Sequence, residues 1–247
     1  MRLLLAAATA LLVLMLELAG EADAATSDLA RIFQFEMLNA RLVYLESITG
    51  PAMHIYAKGA GVQARQYRVE GCRLMAYVKG GLVQAYGLAL SPQCNFKLDD
   101  FLGNDYPSTD ALTIGGFAHG AFGANLRAQA TCIYLCSNAA DPTVDFTWEG
   151  PHAANFLSVV LTVVLASDAA VGASERWAEV MRKTENDDYI DKAKFNCEKK
   201  YDASAIAAFN DVKVDEITIG YYQPNARVYA GSCSKARASG TKPQRGR

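Results

Sequence analysis

Residues 67–90, YRVEGCRLMAYVKGGLVQAYGLAL, contain the clearest hairpin pattern of the chain. Apolar residues dominate both ends of this stretch, and the Lys79-Gly80-Gly81 segment between them is typical of a tight turn. The stretch therefore predicts two antiparallel strands, Tyr67–Val78 and Leu82–Leu90, with Ser91-Pro92 ending the second. An antiparallel sheet is the architecture that this hairpin favours.

The hairpin also predicts one disulfide. In this pairing Cys72 lies near Ala89, and Cys94 follows just past the end of the second strand, so we expect a Cys72–Cys94 bond. An even number of cysteines on an exported chain is typical of a disulfide framework. The remaining four cysteines, whose pairing the sequence leaves open, are Cys132, Cys136, Cys197 and Cys233.

The C-x3-C spacing of Cys132 and Cys136 allows a second interpretation. Two thiolates at this spacing could bind zinc, with Cys197, Cys233 or a histidine as further ligands. Exported cysteines usually oxidise, however, and this spacing is not one that zinc sites prefer. We therefore predict structural disulfides, no metal and no cofactor.

Further strands are predicted on both sides of the chain's middle. Thr143–Glu149 alternates apolar and polar side chains, which is typical of a half-buried strand. Leu157–Leu165 is apolar on both faces and is predicted to be a central strand. Leu112–Phe117 and Phe122–Cys132 are expected to pair around a glycine-rich turn, and Val212–Tyr221 returns as a last strand.

Helices are predicted at the two ends of this β-rich region. Ser27 begins one that ends before Gly50, Ser167 caps a second, and Asp202 caps a short third. Three hairpin-like strand pairs with an N-terminal helix and C-terminal helices predict an α+β fold. The predicted core is an antiparallel β-sheet that disulfides stabilise.

The N-terminus predicts export. Met1-Arg2 precedes an apolar run, Leu3–Leu18, that is short for a membrane span and has the length of a signal-peptide core. Ala22 and Ala24 place small residues where signal peptidase requires them. We expect residues 1–24 to be removed and the mature protein to be periplasmic or extracellular, without a transmembrane segment.

The mature chain is predicted to be one α+β domain over residues 25–233, with a possible sub-boundary near residue 167. Removing the leader takes 1 of 24 basic and 3 of 26 acidic residues, so both counts become 23 and the net charge is zero. No basic field therefore draws nucleic acid to the protein. Residues 234–247 are predicted to be a disordered basic tail, for which anionic lipid or envelope polymer is the alternative partner.

Two histidines are weak catalytic candidates. His119 lies in the glycine-rich segment 115–123, and His152 follows Trp148-Glu149-Gly150-Pro151. A histidine beside a carboxylate such as Glu149 or Asp141 could act as a general base. Glycine-rich turns and strand ends explain the same residues, and the chain contains neither a G-x-S-x-G nucleophile motif nor a phosphate loop.

Two acidic clusters are candidates for cation binding. Glu185–Asp188 forms one of them, and the spacing of the other does not fit a calcium-binding EF-hand. We favour solvated loop acids as the explanation of both clusters, because acidic residues are ordinary in connecting segments. The oxygen-bearing residues of the second cluster are Asp99, Asp100, Asn104, Asp105 and Asp110.

These observations favour an exported, disulfide-containing binding or interaction protein without enzymatic activity. Its predicted partner is an unidentified protein or envelope component. One alternative is an exported hydrolase that uses His119 or His152 with a nearby carboxylate. The other is a structural subunit of an envelope assembly, which a large exposed apolar patch would support.

Overall fold

The computed structural model describes residues 27–103, 108–120, 126–136, 142–150 and 157–239. At its centre is one antiparallel sheet of eight strands in the order β1-β2-β3-β4-β8-β7-β6-β5. With helices around this sheet, the predicted α+β class with an antiparallel core is confirmed. The strands are β1 (His54–Gly59), β2 (Val62–Val69), β3 (Cys72–Lys79), β4 (Leu82–Ala89), β5 (Arg127–Ala130), β6 (Thr143–Glu149), β7 (Ser158–Val164) and β8 (Glu216–Gly220).

The helices lie before, between and after the strands. The described part of the chain contains α-helices α1 (Asp28–Ile32), α2 (Leu42–Thr49), α3 (Asp99–Leu102), α4 (Ile114–Gly120), α5 (Asp168–Arg182), α6 (Asp187–Asp191), α7 (Asp202–Ala208) and α8 (Ala226–Ser239). Short 3-10 helices are η1 (Phe35–Met37), η2 (Thr109–Ala111) and η3 (Lys194–Cys197). None of the described helices has the length and apolar character that crossing a bilayer requires.

One face of the sheet forms the hydrophobic core. Strand register places Leu74, Leu88, Ile217, Leu161 and Phe146 directly opposite one another on neighbouring strands, and all five are fully buried. Each such side chain contributes roughly 1.5–3 kcal/mol when it leaves water. The long helix α5 adds its own apolar stripe to the same core, and Ser167 caps it as predicted, with its Oγ accepting from the Ala170 N–H at 3.2 Å.

The opposite face of the sheet is polar in the strands β6, β7 and β8. Because side chains alternate along a strand, the residues between the core positions point to this face. Asp145, Thr147, Ser158 and Thr218 all lie here and are buried. We call these four residues the polar face, and their burial means that another part of the chain covers them.

The C-terminal segment covers the polar face through the carboxylate of Asp145. Tyr229 Oη and Asn225 Nδ2 donate hydrogen bonds to Asp145 Oδ2 at 2.7 and 2.8 Å, and Thr162 Oγ1 donates to Oδ1 at 2.8 Å. Tyr229 belongs to α8, and Asn225 is the residue directly before this helix. A buried carboxylate that accepts three hydrogen bonds therefore fixes this helix against the sheet.

Three disulfides join the six cysteines in pairs. Cys72 bonds Cys94, which is the pair that the hairpin pattern predicted. The other bonds are Cys132–Cys136 and Cys197–Cys233. The last of them ties η3 to α8, so a covalent bond supplements the hydrogen bonds of Asp145 in holding the C-terminal helix.

The predicted single strand Tyr67–Val78 is wrong, because the chain turns back in its middle. Glu70 and Gly71 have positive φ angles of 51° and 83°, and Val69 pairs with Cys72 on either side of them. These angles fit the two-residue type I′ turn of a tight hairpin. The turn divides the predicted strand between the C-terminal end of β2 and nearly all of β3, so the sheet gains a strand.

The predicted continuous helix from Ser27 to Gly50 is also wrong. It begins as predicted, with Ser27 Oγ accepting from the Ala30 N–H, but α1 and α2 are separated by η1 and by a turn at Asn39, whose φ is 65°. Asn39 N–H donates to the Val83 carbonyl, and Val83 N–H donates to the Ala40 carbonyl. These long-range backbone bonds to β4 replace helical bonds, because pairing at this part of the sheet satisfies the same groups.

Two further predictions need correction. Leu112–Phe117 does not pair as a strand with Phe122–Cys132: α4 occupies Ile114–Gly120, and within the described residues 126–132 of the second segment the strand is β5. Ile114, Phe117 and Ala118 bury one helical face. The predicted disordered tail 234–247 is helical as far as Ser239, since α8 continues past its disulfide; residues 240–247 and the predicted leader lie outside the described residues.

We predict that Asp145→Ala lowers the free energy of unfolding by about 3 kcal/mol, because three donors, of which Tyr229 is buried and Asn225 and Thr162 are partly buried, lose their acceptor. Urea denaturation followed by circular dichroism measures this loss. Asp187→Ala is the matched control, since the Asp187 side chain is 87% exposed and its removal is expected to change stability by less than about 0.5 kcal/mol. Equal stability of the two variants would contradict the role of Asp145.

Candidate functional site

The candidate catalytic residues do not meet in the described structure. His119 is exposed near the end of α4 and makes no side-chain hydrogen bond or ion pair with any described residue. Glu149 ends β6, and its Oε1 accepts a hydrogen bond from Gln223 Nε2 at 2.9 Å. His152 and Asp141 lie outside the described residues.

The acidic clusters are explained by local structure where they are described. Lys200 Nζ and Tyr201 Oη donate to Glu185 Oε1 at 2.7 and 2.8 Å, and these hydrogen bonds lower the pKa of Glu185. Asp188 pairs in the same way with Lys192 one helical turn later, which lowers the pKa of Asp188. Both carboxylates therefore have cationic partners from the chain itself.

The described residues of the other acidic cluster, which contains Asp99, Asp100 and Asp110, are divided between two helices. Asp99 and Asp100 open α3, and Asp110 lies in η2, while Asn104 and Asp105 fall outside the described residues. The described residues contain no group of three or more histidine, cysteine or acidic side chains arranged to hold a metal ion.

A five-residue loop closed by a disulfide is the most distinctive surface feature. Cys132 and Cys136 bond to each other directly after β5, so neither is available as a zinc ligand. Ile133 points into the core, whereas Tyr134 is 38% and Leu135 80% exposed. Leu135 also has a φ of 48°, a left-handed conformation that costs a branched residue roughly 1–2 kcal/mol. The loop thus holds a leucine side chain in water.

A groove of about 290 Å³ lies beside this loop, between it and the N-terminal half of α5. Its described lining is mainly apolar, and Glu175 is the charged residue among the lining residues. We call this feature the loop groove. Its apolar lining includes Ile133, Leu135, Pro142, Leu165 and Val171.

Arg182 fixes one wall of the loop groove. Its guanidinium carbon lies 3.9 Å from the centroid of the Tyr134 ring, which is the geometry of a cation–π contact. Such a contact contributes about 0.5–1 kcal/mol at an exposed position. The Tyr134 ring is therefore held by its contact with Arg182 of α5, and its backbone is held by the disulfide between the flanking residues Cys132 and Cys136.

The loop disulfide acts locally. A disulfide stabilises mainly by restricting the unfolded chain, and this effect grows with the length of the closed loop. Cys132–Cys136 spans a sequence separation of only 4, against 22 for Cys72–Cys94 and 36 for Cys197–Cys233. Its main contribution is therefore to the shape of the loop and of the groove next to it.

Sequence reasoning identified part of this site. It singled out the Cys132–Cys136 spacing, but it gave no weight to Tyr134 and Leu135 between the cysteines. Two apolar residues inside a short loop that a disulfide closes were the available signal, because such residues have little room to turn inwards. Val171 and Glu175 carried no local signal, since on α5 they look like ordinary exposed helix positions.

Fold and site together define a disulfide-containing α+β protein with an apolar groove on its surface. Comparison with protein-family models, with curated proteins and with solved structures finds no match for this chain. The function is therefore inferred from the chemistry of the described residues.

We predict that replacing both loop cysteines by serine lowers the free energy of unfolding by about 2 kcal/mol, against about 3 kcal/mol for the Cys72→Ser, Cys94→Ser pair. Urea denaturation compares the two double variants. Hydrogen exchange should accelerate at residues 133–135 in the loop variant alone. A larger loss of stability for the loop pair than for the hairpin pair would contradict the local role of Cys132–Cys136.

Proposed function

We propose that this chain is an exported, disulfide-stapled binding protein whose loop groove takes an apolar side chain of a partner protein. The observation that carries the proposal is the apolar groove beside Leu135, whose side chain is held out in water. Covering these apolar surfaces gains roughly 25 cal/mol per Å² of apolar area. A partner that inserts one apolar side chain into the groove and also packs against Leu135 covers both of these apolar surfaces.

Rigidity of the loop supports a binding role. Association costs free energy when flexible groups become ordered, and a preformed surface avoids part of this cost. The Cys132–Cys136 bond and the Arg182–Tyr134 contact both restrict the loop before any partner arrives. The strained φ of Leu135 is consistent with this role, because unusual backbone conformations occur often at ligand-binding sites.

The charge of the groove specifies the partner further. Glu175 is exposed on α5 and lines the groove, so its carboxylate attracts a cation on the partner. The guanidinium group of Arg182 already contacts the Tyr134 ring at the neighbouring wall of the groove. The proposed partner segment therefore carries an apolar residue next to a lysine or arginine.

Export is part of the proposal. Three disulfides require an oxidising compartment to form and persist in an ordinary cell, and the sequence begins with the pattern of a cleaved leader. The hydrolase alternative has less support, because it requires a histidine, a carboxylate and a hydroxyl within hydrogen-bond reach. The described carboxylate Glu149 is instead bonded to Gln223.

Export makes a direct prediction about the purified protein. Mass spectrometry of the protein from its exporting host should give a chain that begins at Ala25 and lacks six hydrogens, two for each disulfide. Thiol titration of the same unreduced sample should find no reactive thiol. A full-length chain with reduced cysteines would contradict the proposal.

The binding site is tested with a displayed library of random peptides selected on the folded protein. Peptides with an apolar residue beside lysine or arginine should be enriched, and Leu135→Asp should weaken their binding at least tenfold, or about 1.4 kcal/mol. Glu175→Lys should change the preferred neighbour from basic to acidic. Leu135→Asp removes the apolar contact, and Glu175→Lys reverses the charge of the groove. The two variants therefore test the two contributions separately.

Val43→Asp is the matched control, because Val43 is 71% exposed on α2 and does not line the loop groove. Its peptide binding should equal that of the unmodified protein. Selection of peptides that Leu135→Asp binds equally well would place the binding surface elsewhere and contradict the proposal. If the protein itself associates through Leu135 instead, sedimentation will show a dimer, which would favour the assembly-subunit alternative.

A further inference from the structure

We propose that strand β1, at one edge of the sheet, binds an extended segment of a partner protein in which acidic residues precede alternating apolar ones. The segment pairs with β1 and adds one strand to the eight of the sheet. This site is separate from the loop groove and does not rest on the function proposed for that groove. We call it the β1 edge, defined by Met53, Ile55, Tyr56, Lys58 and Arg227.

The fold covers the opposite edge of the sheet, β5, with side chains. Asn196 Oδ1 accepts from the Ala130 N–H at 2.9 Å, and Asn196 Nδ2 donates to the Ala130 carbonyl at 2.8 Å. Asp202 Oδ1 accepts from the Ala128 N–H at 3.2 Å. These side chains occupy the backbone groups that a further strand has to bond, so β5 is closed to another chain.

The β1 edge has no such cover within the described part of the chain. β1 has β2 as its neighbour on one side, and all six residues from His54 to Gly59 are exposed. Apart from the ladder with β2, none of these six residues makes a hydrogen bond with a described residue. A strand with an unpaired edge presents N–H and C=O groups at the spacing that an extended chain can bond.

The N-terminal part of the β1 edge is apolar. Met53 is 53%, Ile55 52% and Tyr56 47% exposed, so three large apolar side chains within four residues are in contact with water. Alternation along the strand puts Ile55 and Tyr56 on opposite faces of the sheet. Apolar side chains on an added strand pack beside them, and the area that is covered contributes roughly 25 cal/mol per Å².

A bulge places Lys58 in the C-terminal part of the β1 edge. Ala57 pairs with Gln63 and Gly59 with Val62, so Lys58 is the extra residue between them. Bulges and lysines are common on edge strands, where they hinder association between copies of one protein. The ladder before the bulge is regular, so an added strand can pair with that part of β1.

Arg227 of α8 adds a second positive charge to this end of the β1 edge. Its Nη1 lies 2.8 Å from the position that a Cβ atom at Gly59 would take, so the guanidinium group lies over the end of the strand. Neither Lys58 nor Arg227 makes an ion pair with a described residue. Glu216, on which the charge of Lys58 acts, pairs with Arg73 at 3.6 Å instead. Both cations therefore remain available to the carboxylates of a partner.

The order of apolar and cationic residues favours a partner over a second copy of the chain. When two β1 strands pair antiparallel about a two-fold axis, the cationic end of each strand meets the apolar end of the other. Neither end then finds its complement. A partner strand that runs antiparallel to β1, with acidic residues first and apolar residues after them, matches both ends at once. This match specifies the chemistry of the partner segment.

The proposal is tested by fluorescence polarisation with a labelled, C-terminally amidated peptide, Gly-Glu-Asp-Val-Thr-Val-Thr-Val-Gly. This acidic peptide should bind at least tenfold more tightly than the same peptide with lysine in place of both acidic residues. Methylating the backbone nitrogens of the central Val-Thr pair should abolish binding, because it removes an N–H on each edge of the peptide strand. Hydrogen exchange at residues 54–57 of the protein should slow when the acidic peptide binds.

Lys58→Glu should remove the preference for the acidic peptide, because one positive and one negative charge then adjoin the strand. Lys199→Glu is the matched control: Lys199 is exposed, makes no ion pair with a described residue, and lies between η3 and α7, which cover the opposite edge of the sheet. Its peptide binding should equal that of the unmodified protein. Leu135→Asp should also bind the acidic peptide normally, so failure of the loop groove and failure of the β1 edge are distinguishable.

The proposal is overturned if the acidic peptide does not bind at about 1 mM, or if it binds no better than the lysine peptide. It is also overturned if the N-methylated peptide binds equally well, since binding then does not use the backbone of the strand. Sedimentation of the unmodified protein gives a further check. A dimer in which hydrogen exchange at residues 54–57 is slowed without any peptide assigns the β1 edge to a second copy of the chain, which likewise overturns the proposal.

Discussion

The buried carboxylate of Asp145 is the interaction on which the second layer of this protein depends. It accepts three hydrogen bonds, and two of the donors, Asn225 and Tyr229, belong to the C-terminal segment. A polar sheet face such as this one would otherwise leave buried groups unpaired, which is costly. Because Asn225 and Tyr229 are both bonded to Asp145, the beginning of α8 is held against the sheet.

The loop groove is built where α5 and the disulfide loop meet, and its chemistry is that of apolar side chains around one carboxylate, Glu175. Disulfides support two separate parts of the molecule, since Cys132–Cys136 shapes the loop and Cys197–Cys233 holds α8.

Predictions from the sequence succeeded where a local rule determines the structure. The bounds of β6 and the serine cap of α5 depend on neighbouring residues, and both are as predicted, although Asp145 and Thr147 are buried where alternation predicted a solvent-facing side of the strand. The predictions from the sequence failed where distant groups compete for the same backbone atoms. The N-terminal helix is interrupted because Asn39 and Ala40 pair with Val83 far along the chain, and that competition has no local signal.

The amino-acid sequence by itself determined the α+β class and the Cys72–Cys94 pairing, because periodicity, turn chemistry and cysteine spacing act over short distances. It also contained the C-x3-C spacing from which the loop groove is built. Only the tertiary structure decided that Leu135 lies beside α5, and that Asp145 meets Asn225 and Tyr229. Residues so far apart in the chain meet through strand order, and many strand orders satisfy the same local pattern.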